Sequence, residues 1–136
     1  MPVETDAALR EILGHKRVGV VGCSTTPGKA AHDVPAYLQR HGYEIVPINP
    51  TAQEVLGRDA ADSLTAVDTE LPLVCIFRPS DEVAGIVDEA IDRGDVRVVW
   101  TQLGIRDPEA AKRAEDAGLS VVQDRCMKVE HGRLCG

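Results

Sequence analysis

Five short segments of this chain are almost unbroken in apolar residues, and between them apolar positions recur at helical spacing. The runs are residues 17–22 (RVGVVG), 43–48 (YEIVPI), 71–77 (LPLVCIF), 96–101 (VRVVWT) and 120–123 (SVVQ). Near-continuous apolarity over four to seven residues, without strict alternation, predicts strands buried on both faces, as in a parallel sheet. The intervening segments carry helix signals. Val83, Ile86, Val87, Ala90 and Ile91 share one face, with Gly94 as the stop. Asp107-Pro108 is an N-cap followed by proline at the first helical position, and Gly118 closes that helix. Val34, Leu38 and His41 line a helix ending near His41, whose start is obscured by Pro35, tolerated in a first turn but not deep inside. Thr5 to Leu13 forms an N-terminal helix with Leu9, Ile12 and Leu13 inward, and Thr51-Ala-Gln-Glu54 reads as a capping box opening a short turn that ends at Gly57.

Strands alternating with helices at this spacing imply βαβ crossovers. The expected fold is α/β: a Rossmann-like three-layer domain with a five-stranded parallel sheet flanked by helices. Its 136 residues fit one domain spanning 1–136, with residues 1–15 as the N-terminal helix region and 132–136 as a mobile tail. Aromatics are only 3%, so Val, Ile, Leu and Ala must build the core.

Charge and cysteine usage narrow the function classes. The net charge of −7 repels nucleic-acid phosphates, which argues against a nucleic-acid partner. The four cysteines, at 23, 75, 126 and 135, form no CxxC pair and match no zinc spacing, so no metal site is expected. No apolar run approaches the roughly 20 residues of a membrane span, and nothing N-terminal reads as a signal peptide. The expectation is a reduced, cytoplasmic protein without a membrane partner.

In an open parallel sheet, ligands bind beyond the carboxyl ends of the strands, where strand order reverses. The segment after the first strand, Gly22-Cys-Ser-Thr-Thr-Pro-Gly-Lys29, is rich in small and hydroxylated residues. Its backbone N–H groups and the following helix N-terminus would cradle an anion, with Ser24, Thr25 and Thr26 adding hydroxyls and Lys29 a charge. The alternative is an ordinary turn that needs glycine only for its backbone angles. The glycines do not spell GxGxxG, and the second strand ends in Asn49-Pro50 without an acid for a ribose hydroxyl, so NAD is disfavoured. A GxxxxGK[ST] loop would need glycine where Pro27 stands and a hydroxyl where Ala30 stands, so ATP hydrolysis is disfavoured too.

The succession VGVVGCSTTPGKAAHDVPAYLQRHGYEIVPINP, IFRPSDEV, VVWTQLGI and DRCMKVEH resembles the small stand-alone CoA-binding proteins. Their domain is similar to the N-terminal domain of the succinyl-CoA synthetase α subunit, and the resemblance runs from Val18 to Leu134. It implies coenzyme A or an acyl-CoA as the ligand. By the resemblance, Gly22, Cys23 and Ser24, with Thr25 beside them, hold the CoA phosphates, and Lys29 supports them. Asn49 and Pro50 lie beside the adenosine, Phe77, Arg78 and Pro79 at the adenine end, and Gln102 and Gly104 near the pantetheine path. Where relatives often carry Pro-Ser, this chain has Ala30-Ala31, which removes one hydroxyl, and His32 follows.

The phosphohistidine domain of the synthetase has no counterpart in these residues, so no reaction is evident. Cys126, Glu130 and His131 nevertheless place a thiol, a carboxylate and an imidazole within six residues, and Cys126 with His131 is the candidate catalytic pair. The alternative is a buried thiol and structural hydrogen bonds. Cys23 is either a small residue fitting a turn or, beside a helix N-terminus, a thiol able to form a mixed disulfide with CoA. Three functions stay open: a binding module, an enzyme acting on an acyl-CoA or CoA disulfide, and a subunit of a larger acyl-CoA ligase. A homodimer is also open.

Overall fold

The computed structural model describes residues 2–135. All five apolar runs form strands: β1 (Arg17–Val21), β2 (Glu44–Ile48), β5 (Leu73–Ile76), β6 (Val98–Thr101) and β7 (Ser120–Val122). They make one parallel sheet in the order β2-β1-β5-β6-β7. Helices α1 (Asp6–Ile12), α2 (Ala30–Arg40) and α5 (Met127–Leu134) cover one face, and α3 (Val83–Arg93) and α4 (Pro108–Asp116) the other. This is the Rossmann-like, three-layer α/β architecture the pattern predicts.

Alternation within each strand builds two cores. Val18, Val20, Leu73, Cys75, Val98 and Trp100 point into one, against Leu9, Leu38 and Met127. Val21, Val74, Ile76 and Val99 point into the other, against Ile86, Val87, Ala110 and Ala114. Trp100 is fully buried, and its indole N–H donates to the Arg125 carbonyl at 2.8 Å, so the ring fills the core without an orphaned donor.

The order of strands has a cause in the sequence. Pro47 cannot donate a ladder hydrogen bond and is confined to an edge, where β2 lies. The outer side of that edge is closed by a short parallel bridge from Ile48 to Ala61, whose N–H donates to the Pro47 carbonyl at 2.9 Å.

Two segments depart from the sequence reading. The capping box at 51–54 opens no helical turn. Glu54–Val55 (β3) pairs antiparallel with Arg58–Asp59 (β4), and Leu56 and Gly57, at φ 54° and 75°, make the turn. The left-handed pair that this turn needs suits a two-residue hairpin and breaks a helix. Asn49 Oδ1, accepting the N–H groups of Thr51 and Ala52, supplies the local hydrogen bonds a cap would otherwise make. The second departure is α5. Residues 132–134, expected to be tail, are its last turn, and Arg133 there pairs with Glu130 and with Asp6 of α1. Gly136, the end of that expected tail, lies outside the described residues.

The later part of the long return from β2 to β5 is fastened by Arg93. Arg93, at the end of α3, donates to the carbonyls of Leu64 (2.6 Å), Val67 (2.8 Å) and Thr69 (2.9 Å) and forks onto Asp95. Asp95 in turn accepts the Leu71 N–H at 2.9 Å, which sets the entry to β5. Lysine cannot reproduce this planar, five-donor arrangement. Arg93→Ala is expected to destabilise the fold by about 2–4 kcal/mol, since it strands several part-buried acceptors, and Arg93→Lys to recover little of it. Urea denaturation midpoints of the two variants against the parent check this.

Candidate functional site

The chain leaves β1 toward α2 on one face. It reaches β5, the other neighbour of β1, from the far side and continues into α3 on the opposite face. A crevice must open where the connections diverge. A cleft of about 640 Å³ lies there, lined by Gly22, Cys23, Ser24, Lys29, Asn49, Pro50, Phe77 and Arg78 among others. Eight of the twelve residues expected to bind the ligand therefore converge. Thr25 and Pro79 are exposed loop residues beside it that do not line it.

Gly22 is the hinge of the site. It sits at φ 85°, and a Cβ there would come within 2.8 Å of the Arg78 Cδ. A side chain is thus excluded both by the backbone and by the arginine stem crossing over it. Its N–H donates to the Ile48 carbonyl, which joins the ends of β1 and β2.

The loop that follows is held mostly by its own hydrogen bonds. Thr26 N–H donates to Ser24 Oγ (3.0 Å) and Gly28 N–H to Asp33 Oδ1 (3.1 Å), while Ser24 N–H donates to the Ala31 carbonyl (3.0 Å). The Gly28 N–H and His32 keep the Asp33 carboxyl below its ordinary range. His32 turns its Nδ1 to Asp33, at 3.1 Å, not to the loop hydroxyls. The Ser24 bond depends on Pro35, which is in the interior of α2. In an uninterrupted helix the residue 35 N–H would donate to the residue 31 carbonyl. Proline has none, and Ser24 takes that acceptor. Several loop amides are therefore already committed. The open donors for an anion are at the start of α2, which has no side-chain cap, flanked by Lys29 and the Ser24 hydroxyl.

Asn49 also does more than line a wall. Its Nδ2 donates to the Cys23 carbonyl at 2.9 Å while Oδ1 accepts from Thr51 and Ala52, so it braces the β2 end against the β1 loop. Cys23 is fully buried, and burial pushes its thiol up to about 12. Desolvation overrides the nearby helix end, which favours the reading of Cys23 as a small residue fitting the turn. Cys75 is likewise buried and its thiol pushed up by burial.

Gln102 and Gly104 lie outside this cleft. Gln102 is 4% exposed, donates to Cys75 Sγ and accepts the Met127 N–H, fastening α5 to the sheet. Gly104, at φ 84°, gives its N–H to Asp124 Oδ1 at 2.6 Å. Beyond β6 and β7 there is a second cleft of about 440 Å³, lined by Leu103, Arg106, Arg125, Cys126, Val129 and Glu130 among others.

The candidate catalytic pair is not assembled. Cys126 faces this second cleft, whereas His131 is buried against α2, its Nδ1 2.8 Å from the Tyr37 hydroxyl and its ring packed near His41 and Tyr43. Glu130 is closed off by Arg125 (2.7 Å) and Arg133 (2.8 Å). Burial opposes its charge, but these two partners hold its carboxyl below the ordinary value. Among the described residues, no group of three or more His, Cys, Asp or Glu could hold a metal.

Sequence reasoning missed Asp62, Ser63, Glu82, Ile86 and Glu89, which also line the first cleft. Only Glu82 left a signal, standing four residues after Arg78 with opposite charge. The others arrive from the return segment and from α3, whose approach follows from strand order.

The profile of a family described as "CoA binding domain" matches residues 16–132. The uncharacterized protein YneT of Bacillus subtilis (strain 168) is 39% identical over 126 residues, covering 92% of this chain and 93% of YneT. Acetate–CoA ligase [ADP-forming] II of Archaeoglobus fulgidus is 28% identical over 109 residues, 79% of this chain but only 16% of the ligase. A solved structure of a hypothetical protein from Pyrococcus horikoshii OT3 superposes with a TM-score of 0.94 at 39% identity, covering all of this chain and 97% of the other.

Two outcomes follow from the geometry. Pro35→Ala restores the helical donor to the Ala31 carbonyl, so the Ser24 amide should exchange with solvent about tenfold faster while α2 persists. Hydrogen exchange read by NMR checks it, and unchanged Ser24 protection would refute the coupling. His131 has its pKa lowered from the ordinary 6.5 by burial, with the charges of His41 and Lys16 adding to it. The folded state keeps the imidazole neutral, so the unfolded chain binds the extra proton. Stability is full above 6.5 and falls as the pH drops through the folded value. Melting curves between pH 7.5 and 5 should show this fall in the parent and a smaller one in His131→Gln.

Proposed function

The chain belongs to the family of CoA-binding domains, and from that premise we propose that it binds coenzyme A, free or acylated, in the cleft beyond β1, β2 and β5. The observation that carries the reading is the convergence of three strand ends with the uncapped start of α2 in a single crevice. The diphosphate rests against Ser24, Lys29 and the first amides of α2, where the helix dipole and a lysine favour negative charge. The adenosine lies along Asn49 and Pro50 and against Phe77, a half-buried ring suited to a purine face. The absence of an acid at the end of β2 supports a ligand whose ribose carries a phosphate, which a carboxylate would repel.

A carrier, sensor or regulatory module fits this site. A second reading draws on the ligases, in which the similar domain is a small part of a longer chain. In that reading this chain supplies the nucleotide fold to a partner bearing the catalytic domains.

Thermal melting with CoA, dephospho-CoA, NAD and ATP tests the ligand. CoA at about 100 times its dissociation constant should add about 2.7 kcal/mol, a shift of several degrees for a domain this size. A shift with NAD or ATP and none with CoA would overturn the proposal.

A further inference from the structure

The cleft that is proposed to take a polyanion carries more carboxylates than cations. Lys29 and Arg78 face Asp62, Glu82 and Glu89 along its walls. One of these carboxylates is placed unlike the others. Glu82 stands at the N-cap of α3, yet its side chain caps no helix amide. It turns instead to Arg78, accepting from Nε at 3.1 Å and from Nη2 at 2.8 Å, one bond to each carboxylate oxygen.

Arg78 is about half exposed, with its stem packed against the backbone of Gly22. Its stem passes directly over Gly22, on the side where that residue has no side chain. The guanidinium lies at the rim of the cleft, one edge filled by Glu82 and the other, around Nη1, open. A phosphate arriving at the open edge meets a neutral pair. Glu82 is within a Debye length of it, so solvent screening at physiological salt leaves part of the repulsion in place. The diphosphate, lodged against Ser24, Lys29 and α2, is served by other groups. Arg78, on the β5 side, is the cation left for a phosphate on the ribose.

On the reading that this cleft binds CoA, we infer that Glu82 is a specificity-determining residue. As the counter-ion clasped to Arg78, it sets how much affinity the site gains from the ligand's 3′-phosphate. With Glu82 charged, CoA and dephospho-CoA are brought closer in affinity. With that charge removed, Arg78 is released to the phosphate and the two ligands separate.

Calorimetric titration of CoA and dephospho-CoA into the parent, Glu82→Gln and Arg78→Ala/Glu82→Gln tests this. Glutamine keeps the length and one acceptor but not the charge. Glu82→Gln should bind CoA about three- to fivefold tighter, the scale of an exposed ion pair, with dephospho-CoA unchanged. The gain should vanish in the double variant. Binding of CoA by the parent with no gain in Glu82→Gln, a weakening, or an equal gain for both ligands overturns the role of Glu82 alone. Binding of neither ligand by any of the three proteins overturns the CoA reading itself, and this inference with it.

Discussion

Everything distinctive about this molecule follows from the position of β1 between two strands that the chain reaches in opposite directions. From β1 it goes outward to β2 through α2, then must cross back to lay β5 on the other side. The chain leaves β1 into α2 on one face and leaves β5 into α3 on the other, so neither connection covers the carboxyl end of β1. A parallel sheet buried on both faces thus keeps one unavoidable opening. Gly22 makes that opening usable. Its left-handed turn takes the chain out of the strand, and its missing side chain lets the Arg78 stem from the neighbouring strand cross above it. The same residue therefore couples the ends of β1 and β5, and through its N–H the end of β2.

The opening is stiffened by backbone groups that have to find partners somewhere. The Ala31 carbonyl, deprived of its helical donor by Pro35, is satisfied by Ser24, and the Cys23 carbonyl by Asn49. Two residues that look like a helix fault and a strand terminator in the sequence fix the loop from both sides. Because this internal satisfaction consumes the amides of Ser24, Thr26 and Gly28, the loop differs from a cradle of free N–H groups. What it offers an anion is concentrated at the start of α2. In the proposed binding of CoA, this shifts the weight of recognition from the loop backbone to Lys29, the Ser24 hydroxyl and the helix end.

The fold was legible because its signals are local. β-branched runs and helix-stopping glycines mark every strand of the parallel sheet and the cores of α3 and α4, and the binding rule for open parallel sheets singled out the loop after β1, which lines the crevice. The failures share a physical cause, the dependence of a segment on partners distant in sequence. The α5 helix has no apolar stripe to read, since two of its three buried residues are Glu130 and His131. Their burial is supported by Arg125, Arg133 and Tyr37, which become neighbours only after folding. Thr51–Glu54 matched a capping box, but Asn49 and the left-handed turn at Leu56-Gly57 drew the segment into a hairpin. For Cys23 the sequence left two readings open, a small residue fitting the turn or a thiol activated by a helix end. Burial, invisible in a loop sequence, decides its ionisation.

The charge balance of the whole chain bears on how such a site works. At −7, the net charge of the protein gives no long-range attraction for the anionic nucleotide proposed as its ligand. On the proposed reading, affinity arises after desolvation, from close contacts with Lys29, the α2 start and Arg78. Screening by salt favours this division, because it weakens the distant repulsion more than the close contacts. A site built this way discriminates by the fit of each phosphate to its own short-range partner, since the total charge of the ligand counts against binding. In such a site one carboxylate in contact with one arginine carries more weight than the remaining surface charge. In the proposed recognition of CoA, the pair formed by Glu82 and Arg78 is the contact on which that balance turns.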